Sequence, residues 1–285
     1  MTITATSLPR PDGAPLPPIG FIGGGNMASA ILGGLIRQGV PAAAFEVVEP
    51  FAEARERLAH DFGIAAQPQA SAALARCEVL VWAVKPQTFA EAAQPVRAHA
   101  GSALHLSVAA GIPSDSIARW LGSERIVRAM PNTPALVGQG MTGLFARPDV
   151  NAADRALVGQ LLAPTGELLW VDAESALDAV TAMSGSGPAY VFYFIEAMTE
   201  AGVEMGLTPD QAQRLAIGTF TGASALAHSA TEPPSVLRER VTSKGGTTYA
   251  AITSLEGADV KAQFKTAIRA AQKRAAELGE EFGRG

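Results

Sequence analysis

The stretch PIGFIGGGNMASAILGGLIRQG, from Pro18 to Gly39, decides how the first half of the chain is read. Ile19–Ile22 is a short apolar run of strand character. Gly23, Gly24 and Gly25 follow as a tight turn. Met27, Ala30, Ile31, Leu32, Leu35 and Ile36 then recur at helical spacing, and Gly39 closes the run. Gly23-x-Gly25-x-x-Ala28 thus lies between a strand and a helix, the context a dinucleotide fingerprint needs. Gly23 permits the turn, Gly25 lets backbone approach a pyrophosphate, and Ala28 lets helix and strand pack closely. The helix start at Asn26 and Met27 offers unpaired N–H groups and the positive end of the helix dipole. The plain alternative is a glycine-rich turn with no ligand.

The pattern repeats beyond this unit. FEVVEP (Phe45–Pro50) reads as a second strand, and FAEARERLAHDFG as a helix ending at Gly63. Further strands lie in CEVLVWAVKP (Cys77–Pro86), SALHLSVAAG (Ser102–Gly111) and RIVRAMPNTP (Arg125–Pro134). Strands alternating with helices predict an α/β, doubly wound, Rossmann-type domain with a parallel sheet. In such folds ligands bind at the carboxyl ends of the strands. Glu49 ends the second strand, where a carboxylate can accept from the ribose 2′-hydroxyl of NAD and repel a 2′-phosphate. It could equally be a solvated acid at a strand end. Arg55 and Arg57 follow closely enough to meet a 2′-phosphate, so the choice between NADH and NADPH stays open. Ala83, Val84, Lys85 and Pro86 end another strand, with Lys85 a candidate for pointing at the cofactor. Ala109, Gly111 and Asn132 end two more, and small residues there would let a nicotinamide lie flat against backbone. Each is also readable as a tight strand-to-loop turn.

At 285 residues the chain is long enough for two domains. Its character changes near Val171: from Asp172 onward nearly all signals are helical. Tyr190–Met205 is long and apolar. Thr208, Pro209 and Gln211 form a capping box at the next helix start. EPPSVLRERV opens another helix, and Val260–Glu280 gives the last. The expected division is a disordered tail over 1–17, a dinucleotide-binding domain over 18–171 and a helical domain over 172–285.

Composition excludes several classes. A net charge of −5 gives no electrostatic reason to bind nucleic acid or an anionic membrane. The lone Cys77 excludes an internal disulfide framework, and His60, His99, His105 and His228 lack metal-ligand spacing, so no metal is expected. The N-terminus lacks the apolar core of a secretory signal, and no run is long enough to span a membrane. A reduced, cytoplasmic enzyme is the expectation.

Two glycine-rich stretches fall in the helical half. SGSGPAY (Ser184–Tyr190) precedes the longest helix, where Ser184 and Gly185 make either a plain turn or a site of close cofactor approach. VTSKGGTTYAA (Val241–Ala251) puts Gly245, Gly246, Thr247 and Thr248 before a helix expected over Tyr249–Leu255. A loop of this kind is a ready anion site. A bland helix cap explains one threonine but not the double glycine.

GFIGGGNMASAILGGL, AVKPQ, RAMPNTPALVGQGMTGL, SGSGPAYVFYFIEAM and VTSKGGTTYAA, in that order, resemble the blocks of pyrroline-5-carboxylate reductases. The likeness spans Ile19 to Lys273. It implies a nucleotide-binding domain followed by an all-α dimerisation domain interlocked with a second chain, in dimers that build larger rings such as decamers. It implies reduction of 1-pyrroline-5-carboxylate to L-proline by NADPH or NADH. Gly246, Thr247 and Thr248 would hold the substrate carboxylate, with Thr248 catalytic or orienting at the ring nitrogen and Ser243 nearby. Ser184 to Pro188 would border the nicotinamide. One departure stands out: Lys244 occupies a position where the family commonly has proline.

Three rivals remain. A 3-hydroxy-acid dehydrogenase of similar layout would carry a lysine on the long helix after the glycine turn, but no lysine occurs between Lys85 and Lys244. A reductase of another cyclic imine is closer, and the anion-binding loop favours a carboxylated substrate over it. A non-catalytic nucleotide-binding regulator would not need the second loop. The apolar runs YVFYFIEAM and AIGTFTGASALA are too large for one exposed surface and point to an oligomer.

Overall fold

The computed structural model describes residues 16–283. The expected tail lies outside them except for Leu16 and Pro17, and Leu16 is already buried against the core. The elements run β1 (Ile19–Ile22), α1 (Asn26–Arg37), β2 (Phe45–Val48), α2 (Ala52–Phe62), β3 (Val79–Trp82), α3 (Phe89–Arg97), β4 (Leu104–Ser107), α4 (Ser114–Leu121), β5 (Ile126–Met130), β6 (Gly140–Ala146), α5 (Ala152–Leu162) and β7 (Gly166–Trp170). Helices follow: α6 (Ala176–Val180), a π-helical turn (Thr181–Gly185), α7 (Gly187–Glu204), α8 (Pro209–Ser229), α9 (Pro234–Arg240), α10 (Thr247–Gly257) and α11 (Val260–Gly283).

The strands form one seven-stranded sheet in the order β2-β1-β3-β4-β5-β6-β7. β2 through β5 are parallel, as expected. β6 departs from the all-parallel expectation: it runs antiparallel to β5, and β7 pairs with it in parallel. The chain leaves β1 toward β2 on one side and resumes at β3 on the other, which makes β1/β3 the switch point where open α/β sheets bind ligands.

All four residues of β1, β3 and β4 are buried, as expected of parallel strands covered on both faces. One face joins Phe21, Ile31, Leu35, Val47, Leu58 and Leu106 into a core. The other joins Leu80, Trp82, Phe89, Ile117 and Ile126. Trp82 stacks on Phe89 at 4.7 Å and donates its indole N–H to His105 Nδ1 at 3.1 Å. That bond fixes the His105 tautomer with its proton on Nε2. Burial, helped by the Arg125 charge, pushes the His105 pKa down to about 4.

The chain divides into two compact units, Met1–Gly185 with Ala271–Gly285, and Ser186–Ala270. The sequence reading placed its boundary at 171/172, so α6 and the π-helical turn stay with the sheet, and the end of α11 returns to it. There Phe282 packs on the second core, and the Gly283 carbonyl accepts from Ser116 Oγ at 2.9 Å and Arg119 Nη2 at 3.1 Å.

In the helical unit α7 and α8 form the main pair. Gly202 permits it, because a Cβ there would lie 2.8 Å from Ala212 Cβ. Thr208 Oγ1 accepts from Gln211 N–H at 3.3 Å, and Gln211 Oε1 accepts from Thr208 N–H at 3.0 Å, which completes the expected capping box. Tyr190 and Phe194 both meet Phe264 edge-on. Within one chain only Ala212 and Ala216 of α8 are buried.

Candidate functional site

The β1–α1 turn is built by contact. Gly23 has φ +95°, and a Cβ on it would lie 2.6 Å from the Ala83 carbonyl oxygen. Any L-residue there meets both backbone strain and rigid backbone. Gly24 is hemmed by Leu58 at 2.5 Å. Gly25 differs: nothing lies within 4 Å of where its Cβ would be, so a ligand can reach the backbone there. Gly25 N-caps α1 without a side-chain bond, and the first turn of α1, holding Asn26 and Met27, has no acidic residue. Its N–H groups and dipole are left for an anion. Backbone bonds anchor the turn, from Gly23 N–H to Val48 O and from Ala83 N–H to Ile22 O, both 2.8 Å.

Glu49 closes the turn from β2. It is buried, and its carboxylate accepts from Gly24 N–H at 2.7 Å and Phe51 N–H at 2.9 Å. The sequence offers Glu49 as a ribose partner or as a solvated strand-end acid; its burial removes the second reading, and the backbone clasp is in neither. Arg55 Nη1 donates to the carbonyls of Glu49 and Pro50 at 3.0 and 2.7 Å.

The other predicted edge residues fall into two groups. Ala83, Val84, Lys85 and Pro86 follow β3 at the switch point, with Lys85 exposed. Ala109 is buried, its N–H directed at Ser107 Oγ. Gly111, at φ +74°, faces the end of α11, with Phe282 3.4 Å from its would-be Cβ. Asn132 is a brace. Its amide donates to Ser184 O at 3.2 Å and Ser184 Oγ at 3.1 Å, and its oxygen accepts from Met141 N–H at 2.9 Å. Ser184 Oγ donates to Met141 O at 3.1 Å. Asn132, Ser184 and Gly185 thus knit the end of β5, the start of β6 and the π-helical turn. That turn gives the Ser184 carbonyl a partner outside the ordinary helical ladder.

In the helical unit, α10 begins at Thr247, two residues before the expected start, with Gly246 as N-cap. Gly246 N–H donates to Ser243 O at 2.9 Å, closing a turn with Gly245 at φ +76°. This is the type II pattern, which wants glycine at its third position and favours proline at its second. Lys244 fills that second position, so the turn forms without the proline. No side chain caps α10 and no acid stands in its first turn, where Thr247 and Thr248 lie. Both loops therefore present bare helix N-termini suited to anions.

The groups present fit a dinucleotide on the first unit: N–H donors at an uncapped helix start, an open Gly25 and an accepting carboxylate at the β2 end. Known proteins agree with this geometry. Residues 174–278 match the family described as pyrroline-5-carboxylate reductase dimerisation, and residues 18–111 match NADP oxidoreductase, coenzyme F420-dependent. A pyrroline-5-carboxylate reductase of Pseudomonas aeruginosa is 46% identical over 94% of this chain and 98% of its own. One of Arabidopsis thaliana is 36% identical over 92% and 95%. The solved pyrroline-5-carboxylate reductase of Coxiella burnetii, 36% identical, superposes with a TM-score of 0.86 over 92% of this chain and 98% of that one. The Plasmodium falciparum enzyme, solved with NADP bound, is 28% identical with a TM-score of 0.81 over 92% and 98%. The chain belongs to the pyrroline-5-carboxylate reductase family.

Proposed function

We propose how this chain carries out its family's reaction, the reduction of 1-pyrroline-5-carboxylate to L-proline with NADPH or NADH, the last step of proline biosynthesis. The two uncapped, glycine-fed helix starts divide the binding between them. Gly23, Gly25, Asn26 and Met27 hold the dinucleotide pyrophosphate, and Glu49 attends its ribose. Ala83, Val84, Lys85, Pro86 and Ala109 border the cofactor. Gly111, Asn132, Ser184 and Gly185 frame it, the last three as a rigid clasp. The reduced nicotinamide, when bound, supplies the hydride.

Ser243, Gly245, Gly246, Thr247 and Thr248 bind the substrate. Its carboxylate takes the first-turn amides of α10. The Thr248 hydroxyl holds the ring nitrogen, accepting from its N–H when the imine is protonated. A protonated cyclic imine is already electrophilic, so the protein's task is to position it and keep water away. The observation that carries this reading is the Ser243–Gly246 turn, which feeds a helix start with neither cap nor acid.

The domain reading, 18–171 for the cofactor and 172–285 for dimerisation and substrate, is supported by the family match that begins at 174. The chain is a homo-oligomer, and we read it as dimers built into larger rings such as a decamer. Phe192, Tyr193, Leu215 and Leu226 are each 59–68% exposed on one chain and need covering. The same unit has an apolar groove of about 900 Å³ lined by Phe194, Met198, Phe220, Leu255 and Phe264. We place the chain in the cytoplasm on the ground that its relatives are biosynthetic enzymes. No described helix is long and apolar enough to cross a membrane.

Initial rates with 1-pyrroline-5-carboxylate test the reaction. Thr248→Ala tests the site. Loss of a hydrogen bond to a charged group predicts a fall of roughly 10- to 100-fold in kcat/KM, with nucleotide affinity unchanged. Turnover at the parent rate would remove Thr248 from the mechanism.

A further inference from the structure

Glu174 stands where α4, β5, β6 and the entry to α6 meet. Its Oε1 accepts from the N–H of Ser114, the first residue of α4, and from Arg128 Nη1 on β5, each at 2.6 Å. Its Oε2 accepts from the Ser114 hydroxyl at 2.6 Å. That hydroxyl in turn accepts from Arg147 Nη1, just past β6, at 3.1 Å. A carboxylate at a helix start suits the helix dipole. Glu174 therefore fills the start of α4 with the chain's own anion, whereas the start of α1 stays bare.

We propose that Glu174 is a positioning residue for hydride transfer, acting through Arg128 and α6 on the Asn132–Ser184 clasp. The proposal rests on the reading above that Asn132, Ser184 and Gly185 frame the cofactor. Arg128 lies on β5 and Asn132 just beyond its end, so the segment from Glu174 to Ser184 is pinned at both ends to one strand. Between the pins it lies close on the sheet. A Cβ on Gly143 would be 2.6 Å from Val180 Cγ1, and one on Gly185 would collide with Met130. Leu177 and Ala182 are buried, and Thr181 Oγ1 donates to Leu177 O at 2.8 Å, so the segment moves as one bar. Packing alone does not hold its far end. A cavity of about 270 Å³, lined by Arg128, Glu174, Asp178 and Gly279, leaves room there. Asp178 faces the same Arg128 charge from four positions on, and burial raises its pKa. Without Glu174, Arg128 is left to Asp178, and the bar loses its register on β5.

First-turnover rates test this. The full chain is loaded with NADPH or NADH and mixed rapidly with saturating 1-pyrroline-5-carboxylate, and the loss of nucleotide absorbance is followed. Small misplacements of reactants are costly, so Glu174→Ala is expected to slow the first turnover roughly 10- to 100-fold while the nucleotide Kd moves less than about threefold. Glu174→Gln keeps an oxygen for Arg128 but loses the charge, and should lie between Glu174→Ala and the parent. Asn132→Ala should slow the same step. The double variant should be no slower than the worse single one, because both changes release the same bar. A parent-like first turnover in Glu174→Ala overturns the proposal. Should that variant not fold, a parent-like rate in Glu174→Gln does so. Losses that multiply in the double variant overturn it too, since they mark independent effects. A parent protein that binds neither nucleotide sinks the cofactor reading itself, and this assignment with it.

Discussion

The chain feeds a helix from a glycine-rich loop twice, and the two loops are held by different physics. After β1, glycine is demanded by neighbours: Gly23 and Gly24 are packed against Ala83 and Leu58. Before α10, Gly245 is demanded by its own dihedral, since nothing lies within 4 Å of its would-be Cβ. The first loop is a product of tertiary packing and shares the fate of the sheet. The second is a local turn, closed by one backbone bond, that can change without disturbing a core.

Substitutions should expose this contrast. Gly23→Ala meets strain and a backbone clash together and should cost several kcal/mol, read as a large drop in the denaturant midpoint. A loss below about 1 kcal/mol would break the distinction. The sheet also carries a pH liability. His105 has its folded pKa near 4, below the ordinary value of 6.5. The unfolded chain therefore binds a proton that the folded chain refuses, and stability falls as pH drops from about 6.5 toward 4. Unfolding curves across that range should lose about 2–3 kcal/mol from this group. A flat profile in His105→Gln would assign the slope to His105, whereas an unchanged slope would assign it elsewhere. Gly245→Ala should cost about 1 kcal/mol, from strain alone, and should lower turnover more than stability. Lys244→Pro is the smallest effect and of opposite sign. Proline pre-sets the turn and should stabilise by about 0.4–1 kcal/mol, measured by thermal denaturation.

What could be read from sequence follows the same division between local and distant causes. The Thr208 capping box depends on residues within a few positions of each other and forms as expected; the Gly23–Ala28 turn is held by distant neighbours, but its glycine spacing between a strand and a helix marks it in the sequence, and it too forms. β6 and β7 went unread. Gly140–Ala146 opens on glycine and has no sustained apolar run, while Gly166–Trp170 is five residues of an edge strand. Their pairing depends on a fit between glycines: a Cβ on Gly166 would lie 2.0 Å from the Gly140 carbonyl oxygen. Such closeness leaves no hydrophobic signature. At the site, the Asn132 motif could be seen, but its bonds to Ser184 lie 52 positions away. The Glu49 clasp likewise needed the fold to bring Gly24 beside it, 25 positions distant.

The return of α11 to the first unit has a consequence for the order of synthesis. Domains usually fold as they leave the ribosome, N-terminal first. Here Phe282 completes a core that begins with Ile22, and Gly283 supplies the acceptor for Ser116 and Arg119. The helical unit is an insertion within the nucleotide unit. The first unit cannot be finished until the whole of Ser186–Ala270 has been translated, so residues made after the second unit act as the keystone of the first.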